Sequence, residues 1–193
     1  GSVVNDTSWS GHNGQFAGER DYGRQGIMAG STAINLRVPN PGGFLGIGKK
    51  DGGSIISDRD VANPNVFTQE VWVKTTSTTG GRIMGFGTST NATLSSKSDR
   101  HMQLLNDGRV MFGVYPGVEQ RINSTKTIND GQWHHVVSSL GDGGMKLYID
   151  GKLEAANPNV KIGENYTGRW KIGGDKTWSG SSSDYLAGEF DEA

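Results

Sequence analysis

The stretch "DGQWHHVV" (residues 130–137) decides the fold of this chain, together with "MKLYIDGKL" (145–153). Neighbouring side chains of a β-strand point to opposite faces of the sheet, so His134 and His135 cannot bind one metal ion together. The pattern instead predicts that Trp133 and one histidine pack, while the other histidine lies on the surface. The paired histidines therefore indicate architecture, and neither a catalytic nor a metal site.

Alternation of apolar and polar residues recurs along the rest of the chain, with no sustained 3.6-residue period. Residues 67–74 alternate in this way, and so do residues 145–149. The segments 101–105 and 109–115 flank "NDG" (106–108), which is a strong signal for a tight hairpin turn. About ten short strands at this spacing predict an all-β fold, a sandwich of two antiparallel sheets.

The first ~65 residues are rich in Gly, Ser and Asn, and their hydrophobic residues are isolated. We expect this region to contribute an edge strand and long loops, because its large hydrophobic side chains need burial. These side chains are Phe16, Ile27, Met28, Ile34 and Leu36. No linker, long repeat or second domain is visible, so we expect residues 1–193 to form a single domain.

Composition excludes several classes of function. The chain of 193 residues has a formal charge of −1 and its longest basic run is Lys49-Lys50, so we expect no binding of nucleic acid. No stretch approaches the ~20 apolar residues of a transmembrane helix, so we expect no membrane insertion. The sequence contains no cysteine, which excludes disulfides and thiol chemistry.

Six motifs carry a resemblance to a known family. In chain order they are "NDTSWSGHNGQFAG" (5–18), "FTQEVWVKT" (67–75), "DGRVMFGV" (107–114), "DGQWHHVV", "MKLYIDGKL" and "GEFDEA" (188–193). With these motifs the chain resembles laminin G-like, concanavalin A-like jelly-roll domains, and the first motif is similar to the opening of bacterial laminin G-like members. The resemblance implies a jelly-roll β-sandwich that serves as a non-catalytic carbohydrate-binding module of a secreted or cell-surface protein.

Two other functions stay open, because a fold alone does not fix function. A protein-interaction or adhesion module of the same fold is the main alternative, and a jelly-roll glycoside hydrolase is the third hypothesis. For the carbohydrate-binding module and for the adhesion module, the expected partner is a cell-surface glycan or a protein.

The sequence departs from the family pattern at two places. Gln69 stands where the family usually has an aliphatic residue. The family also continues past Asp-Glu with a further apolar strand, whereas this sequence ends at Ala193. We therefore expect a fragment of a larger protein that lacks the C-terminal strand, and a missing strand exposes a sheet edge to pairing with another chain.

A pair of carboxylates lies near the end of the sequence. Glu189 and Asp191 are two residues apart and therefore share one face of a strand. The pair resembles the Glu-X-Asp motif of laminarinase-type glucanases, which need a further Glu on that face to complete an acid–nucleophile pair at ~5–5.5 Å. Glu192 points the other way, so we expect no enzyme activity.

Calcium is the cofactor that the resemblance implies. Calcium binds six to eight oxygen atoms from carboxylates and loop carbonyls. Laminin G-like domains often hold such an ion where the opening loop and the closing strand meet, which implies Asp6 and Asp191 as ligands, with Asn13 and Glu189 as further candidates. The alternative is that these side chains cap the local backbone.

A tryptophan in a polar loop is the candidate for ligand binding. Trp178 has polar neighbours on both sides, and a large exposed aromatic residue indicates a partner. It either stacks on the C–H face of a sugar ring or folds back over its own loop. Four nearby residues are expected to bind sugar hydroxyls: Asp175, Lys176, Asp184 and Tyr185. Trp9 raises the same two options, and Tyr115 is a further place for a sugar.

Overall fold

The computed structural model describes residues 3–4, 14–17, 21–28, 32–36 and 53–191, and these ranges contain sixteen strands and no helix. In chain order the strands are β1 (Val3–Val4), β2 (Gly14–Ala17), β3 (Asp21–Gln25), β4 (Thr32–Asn35), β5 (Ser54–Ser57), β6 (Val61–Ala62), β7 (Phe67–Thr75), β8 (Gly81–Gly87), β9 (Ser98–Leu104), β10 (Arg109–Val114), β11 (Gln120–Thr127), β12 (Trp133–Leu140), β13 (Met145–Ile149), β14 (Lys152–Asn157), β15 (Thr167–Gly173) and β16 (Gly188–Asp191).

The strands form two sheets. Sheet I has nine strands, in the order β1-β2-β5-β15-β8-β9-β10-β11, with β6 also beside β15. Sheet II has seven strands, in the order β14-β13-β12-β7-β16-β4-β3. Every strand pair in both sheets is antiparallel. The predicted all-β sandwich of two antiparallel sheets is therefore confirmed.

The core lies between the two sheets, and the period-two alternation of the sequence decides which side chains enter it. Along β12 and β13, buried and half-buried residues alternate without a break. The central strands of both sheets contribute one continuous apolar cluster, which includes Val71, Val73, Val110, Phe112, Val114, Val136, Met145, Leu147 and Ile149. The alternation predicted for residues 67–74 and 145–149 is thus confirmed.

The N-terminal strands lie at the edges of the sheets, as expected: β1 and β2 at one edge of sheet I, and β3 and β4 at one edge of sheet II. Leu36 is buried and Ile34 packs against the core, while Phe16 and Ile27 are half-buried. Met28 is 57% exposed, so the expectation that it is buried is wrong. Met28 follows the end of β3, where strand alternation no longer directs side chains inward.

The two histidines of β12 lie on opposite faces of sheet II, as predicted. His134 is buried, with Nδ1 2.9 Å from a carboxylate oxygen of Asp150 and Nε2 3.0 Å from one of Asp130. His135 is half-buried on the outer face, where its Nε2 lies 3.4 Å from Glu70. Both rings contact carboxylates of turns and strands, so the motif stabilises the fold.

Trp133 requires a correction, because it lies on the outer face together with His135 and not beside the buried histidine. Residues two apart on a strand share a face, so the alternation that buries His134 turns Trp133 outward. Trp133 is half-buried there, with the Lys74 ammonium 5.8 Å from its ring centroid. Trp72 stacks on His135 on the same face, with centroids 5.0 Å apart.

Asp150 joins the strands of this motif at the turn between β13 and β14. Its carboxylate accepts hydrogen bonds from the His135 N–H at 2.9 Å and from the Lys126 ammonium, and it contacts the His134 ring. Burial opposes the charged form, but the hydrogen bonds from Lys126, His134 and His135 prevail and lower the pKa of Asp150 to about 2. Its φ of 52° lies in the left-handed region, which Asp and Asn tolerate.

We expect Asp150→Asn to destabilise the fold at neutral pH and to cost nothing in strong acid. The folded-state pKa of Asp150 lies below the ordinary 3.8, so the stabilisation is complete above that pH and is lost as the pH falls from 3.8 towards about 2. Asparagine keeps the left-handed backbone accessible and removes only the charge. Urea unfolding of both proteins from neutral pH down to about pH 2 measures the difference.

Asp142→Asn is the matched control, because Asp142 is exposed in the turn before β13. Its effect should be small at every pH. If the loss caused by Asp150→Asn were the same at pH 7 and pH 2, the charge of Asp150 would not be what stabilises this turn.

Candidate binding cleft beside Trp178

The loop of residues 174–187, between β15 and β16, crosses the outer face of sheet I. Met102 and Leu104 of β9 point into the core, so alternation turns His101 and Gln103 outward, beneath this loop. Both are completely buried although they belong to the outer face, because the loop covers them. The loop therefore determines what this face of the sheet presents to solvent.

Hydrogen bonds from sheet side chains fix the position of the loop. Gln103 makes two bonds to Trp178: its Nε2 donates to the Trp178 carbonyl at 3.1 Å, and its Oε1 accepts the Trp178 N–H at 2.9 Å. Arg82 donates to the Lys176 carbonyl, and Arg121 donates to the Ser179 carbonyl at 3.0 Å. These bonds hold the Trp178 backbone against the sheet.

The ring of Trp178 packs on the sheet and is half-buried. It meets the His101 ring edge-on, with centroids 4.2 Å apart, and the Arg121 guanidinium lies 5.6 Å from its centroid. Gly113 of β10 leaves room for it, since an added Cβ there would lie 2.4 Å from a ring atom. The ring therefore packs on the sheet and not over its own loop, and stacking on a sugar, the other predicted alternative, stays a prediction.

His101 lies beneath Trp178 and is completely buried. Burial, and then the charges of Arg82 and Arg121, lower the pKa of His101 well below the ordinary 6.5. The imidazole is therefore neutral at neutral pH. Trp178 thus packs against an uncharged ring on one side, while the guanidinium of Arg121 lies over its own ring.

An open cleft of about 250 Å³ lies beside the exposed part of the Trp178 ring. Its lining residues are Ser96, Lys97, Ser98, Tyr115, Glu164, Lys176 and Trp178. Tyr115 is 39% exposed, so two aromatic side chains border this small volume. Lys97 forms an ion pair with Glu164 at 2.8 Å, whereas Lys176 is exposed and has no ion-pair partner among the described residues.

Asp175 requires a correction, because it was expected to bind a ligand and is completely buried. Its carboxylate accepts hydrogen bonds from the N–H and the hydroxyl of Ser95, both at 2.7 Å. The Lys171 ammonium lies 3.3 Å away. Burial raises the pKa of Asp175, but Arg82, Lys171 and the bonds from Ser95 outweigh it and lower the pKa. The carboxylate therefore stabilises the interior of the loop and is inaccessible to a ligand.

Asp184 and Tyr185 support the loop and do not line the cleft. Asp184 accepts the N–H and the hydroxyl of Thr177, at 2.8 and 2.9 Å. The Tyr185 ring lies against Gly174, where an added Cβ would meet its ring atoms. Of the predicted sugar-binding residues, the structure thus brings Trp178 and Lys176 to the cleft. Trp9 lies outside the described residues.

Tyr115 was predicted only as an alternative location, and it shares one cleft with Trp178. Alternation explains its exposure, because Val114 enters the core and the next residue turns outward. Lys97 and Glu164 were not predicted. They precede β9 and β15, and no local pattern marks either of them, since the cleft depends on contacts between distant segments.

The predicted calcium ligands are only partly described, since Asp6 and Asn13 lie outside the described residues. Asp191 accepts the Ile27 N–H at 2.9 Å, and Glu189 lies 3.6 Å from the Lys74 ammonium. In the part of the chain that the structure describes, no group of three or more His, Cys, Asp or Glu side chains is placed to hold a metal ion. Asp191 and Glu189 do not form a calcium site by themselves, and calcium stays a prediction.

Residues 47–193 match the family model described as the concanavalin A-like lectin/glucanases superfamily, and the chain belongs to this family. A curated relative is the rat "Sushi, von Willebrand factor type A, EGF and pentraxin domain-containing protein 1", which is 25% identical over 120 residues, or 60% of this chain. The chain spans only 3% of the length of that relative.

Solved structures share the fold at low sequence identity. Domain 4 of the extracellular arabinanase AbnA from Geobacillus stearothermophilus, in complex with arabinotriose, has a TM-score of 0.54 and 17% identity over 92% of this chain and 80% of that chain. The β-glucanase of Bacillus licheniformis has a TM-score of 0.53 and 18% identity over 98% and 92%. This likeness concerns the fold alone, and it confirms the predicted concanavalin A-like jelly roll.

We expect Gly113→Ala to displace the Trp178 ring and to destabilise the fold. The added methyl group would lie 2.4 Å from a ring atom, and overpacking of this kind costs about 1–3 kcal/mol. The double variant Gly113→Ala/Trp178→Ala should lose less than the sum of the single variants, because the obstructing ring is absent. Urea unfolding of the four proteins of this cycle measures the coupling.

Gly141→Ala is the matched control, since its added Cβ would have one neighbour, at 3.8 Å. It should change stability little. An equal cost of Gly113→Ala with and without the Trp178 ring would show that the close approach does not exist in solution.

Proposed function

We propose that this chain is a non-catalytic carbohydrate-binding module and that the cleft beside Trp178 is its glycan site. The observation that carries the proposal is that Trp178 and Tyr115, from distant parts of the chain, line one cleft with Lys97 and Lys176. Sugar rings present apolar C–H faces that pack on aromatic side chains, and their hydroxyls need a few placed polar groups. The two lysines and the neighbouring serines supply such groups.

Two properties of related proteins support a carbohydrate ligand. The description of the family names lectins and glucanases. The arabinanase domain, which has the same fold, was solved with arabinotriose bound. Neither fact identifies the sugar for this chain, so the choice of ligand rests on the chemistry of the cleft.

The proposal excludes hydrolysis, although the β-glucanase shares the fold. A glycosidase needs its pair of carboxylates beside the bound sugar. Glu189 and Asp191 share the outer face of sheet II, whereas the cleft lies on the outer face of sheet I. Both carboxylates also have structural contacts, with Lys74 and with the Ile27 N–H.

A protein-interaction or adhesion module is the second candidate, and the outer face of sheet II favours it. Trp72, His135 and Trp133 are all half-buried on that face and form an aromatic patch. Aromatic side chains that are partly open to solvent are frequent in protein interfaces. Binding experiments that distinguish the two sheets therefore separate the two functions.

We expect the protein to bind on a glycan array and Trp178→Ala to lose about tenfold or more in affinity. Removal of one aromatic ring from a stacked contact costs ~1.5 kcal/mol, which corresponds to about a factor of ten. Affinity is measured by titration with the glycan that gives the strongest signal. Because the ring is half-buried, a moderate fall in melting temperature accompanies the change.

Trp133→Ala is the matched control, since it removes a half-buried tryptophan from the outer face of the other sheet. It should keep the affinity for the glycan. Unchanged binding of the glycan by Trp178→Ala would place the sugar site elsewhere. If only Trp133→Ala lost adhesion to a protein, the second candidate would be favoured.

Polysaccharides incubated with the protein should show no new reducing ends, because the proposed module does not hydrolyse them. Cleavage that Glu189→Gln abolishes would overturn the non-catalytic assignment.

We also propose that a calcium ion stabilises the fold, with Asp191 and Asp6 as carboxylate ligands and with Asn13 and Glu189 as further candidate ligands. An ion that binds only the folded state adds RT ln(1 + [L]/Kd), or ~2.7 kcal/mol at a hundredfold excess over Kd. The melting temperature should therefore rise in calcium relative to chelator. Asp191→Asn keeps an acceptor for the Ile27 N–H, removes the charge, and should abolish the rise.

Glu70→Gln, on the same outer face of sheet II, should keep the calcium effect, because Glu70 contacts His135 instead. Equal melting temperatures in calcium and chelator would show that calcium does not stabilise the fold.

We further propose that the module works outside the cell or at its surface, where glycans are displayed. Within the described ranges, no helix is long and apolar enough to span a membrane.

A further inference from the structure

Exposed hydrophobic side chains are concentrated at one end of sheet I. Among the described residues, seven large hydrophobic side chains are exposed. Four of them lie in the three loops at the end of this sheet where β8 and β10 end and where β9, β11 and β15 begin. We call these four the apolar rim: Leu94, Tyr115, Val118 and Ile162. Single exposed hydrophobic residues are normal on a protein surface, but a group of them in one place indicates a contact surface.

Hydrogen bonds to buried carboxylates hold the three loops beside one another. Asp99 accepts the N–H groups of Tyr115 and Glu164, so the loops of residues 115–119 and 158–166 have a common anchor. Ser95, in the loop of residues 88–97, donates to Asp175. Each loop also contributes lining residues to the cleft beside Trp178. The apolar rim therefore borders the mouth of that cleft.

The charges beside the apolar rim are positive on balance. Both acidic side chains of the three loops are ion-paired, Glu119 with Arg121 and Glu164 with Lys97. Lys161, next to Ile162, and Lys176, in the cleft, are exposed, and neither has an ion-pair partner in the part of the chain that the structure describes. Unpaired lysines on a surface attract an anionic partner.

Apolar side chains on separate loops, together with free lysines, fit the surface of a membrane. Its interfacial layer is fluid and therefore accepts side chains that project singly. A protein partner would need a separate pocket for each of them, and lysine is depleted in the centres of protein interfaces. Binding at a membrane surface increases with the buried apolar area and with the attraction of lysines to anionic headgroups, and it needs no membrane-spanning segment.

We propose that the apolar rim docks on a membrane surface that carries anionic phospholipids. The aliphatic side chains of the rim enter the interfacial layer, its tyrosine lies at the boundary with water, and Lys161 and Lys176 contact the lipid phosphates. Leu94, Val118 and Ile162 do not line the cleft. The proposal therefore goes beyond glycan binding and stands whether or not the cleft binds a sugar.

Co-sedimentation of the full chain with lipid vesicles tests the proposal. The protein should bind vesicles of phosphatidylcholine that contain phosphatidylglycerol, and it should bind vesicles of phosphatidylcholine alone about tenfold more weakly or less. Added salt should weaken the binding, because salt screens exposed charges. Lys161→Gln and Lys176→Gln should each lower the affinity for the anionic vesicles about fivefold, the effect of one lysine near such a surface.

Val118→Ser and Ile162→Ser test the apolar part of the contact. Each should lower the affinity for the anionic vesicles about fivefold, because each removes an aliphatic side chain from the interfacial layer. Both side chains are exposed, at 62% and 54%, so the melting temperature should change little. Leu153→Ser is the matched control, since Leu153 is 55% exposed on β14 of sheet II, and the exposed Lys152 beside it provides the lysine control, Lys152→Gln. Both controls should bind as the wild type does.

Three results would overturn the proposal. The first is no binding to the anionic vesicles, or an equal loss of affinity in Leu153→Ser. The second is a loss of affinity in the lysine variants alone, which would make this surface a site for any soluble polyanion. The third is a dimer, detected by light scattering, that Val118→Ser or Ile162→Ser abolishes, because the apolar rim would then bind a second copy of this chain.

Discussion

The buried carboxylate of Asp99, on β9, holds together the segments that form the cleft. It is completely buried, and one of its oxygens accepts the N–H groups of Tyr115 at 3.0 Å and Glu164 at 2.8 Å. Its other oxygen accepts the Tyr166 hydroxyl at 3.1 Å. Tyr115 and Glu164 both line the cleft, so a side chain outside the cleft determines where two of its walls stand. A fully bonded buried network of this kind gives a segment one position.

Arg100, the next residue, makes the burial of Asp99 possible. Its guanidinium lies 2.5 Å from Asp99 and also donates to the Pro64 carbonyl at 2.6 Å and to Asn63 at 2.8 Å. A buried ion pair is stable only when further hydrogen bonds replace the lost water, and this pair has them. Arg100 has a left-handed φ of 50°, which interrupts the strand alternation, and the pairing of β8 with β9 shifts register nearby.

The two outer faces of the sandwich differ because only sheet I is crossed by the loop of residues 174–187. On sheet I the loop buries Arg82, His101 and Gln103 and leaves a cleft at its side. On sheet II the outward side chains of the central strands remain half-buried, as Trp72 shows. The two outer faces of one fold thus differ in chemistry.

Strand alternation by itself determined the sandwich, its core and the separation of His134 from His135, because the direction of a strand side chain is a local property. Burial of a charge is not local: Asp175 lies in a polar stretch of sequence, yet Ser95, 80 residues away, covers it. The cleft, too, was only half predicted, through Trp178 and Lys176. Its remaining walls come from segments that become neighbours only when the strands pair, and the tertiary structure alone decides that pairing.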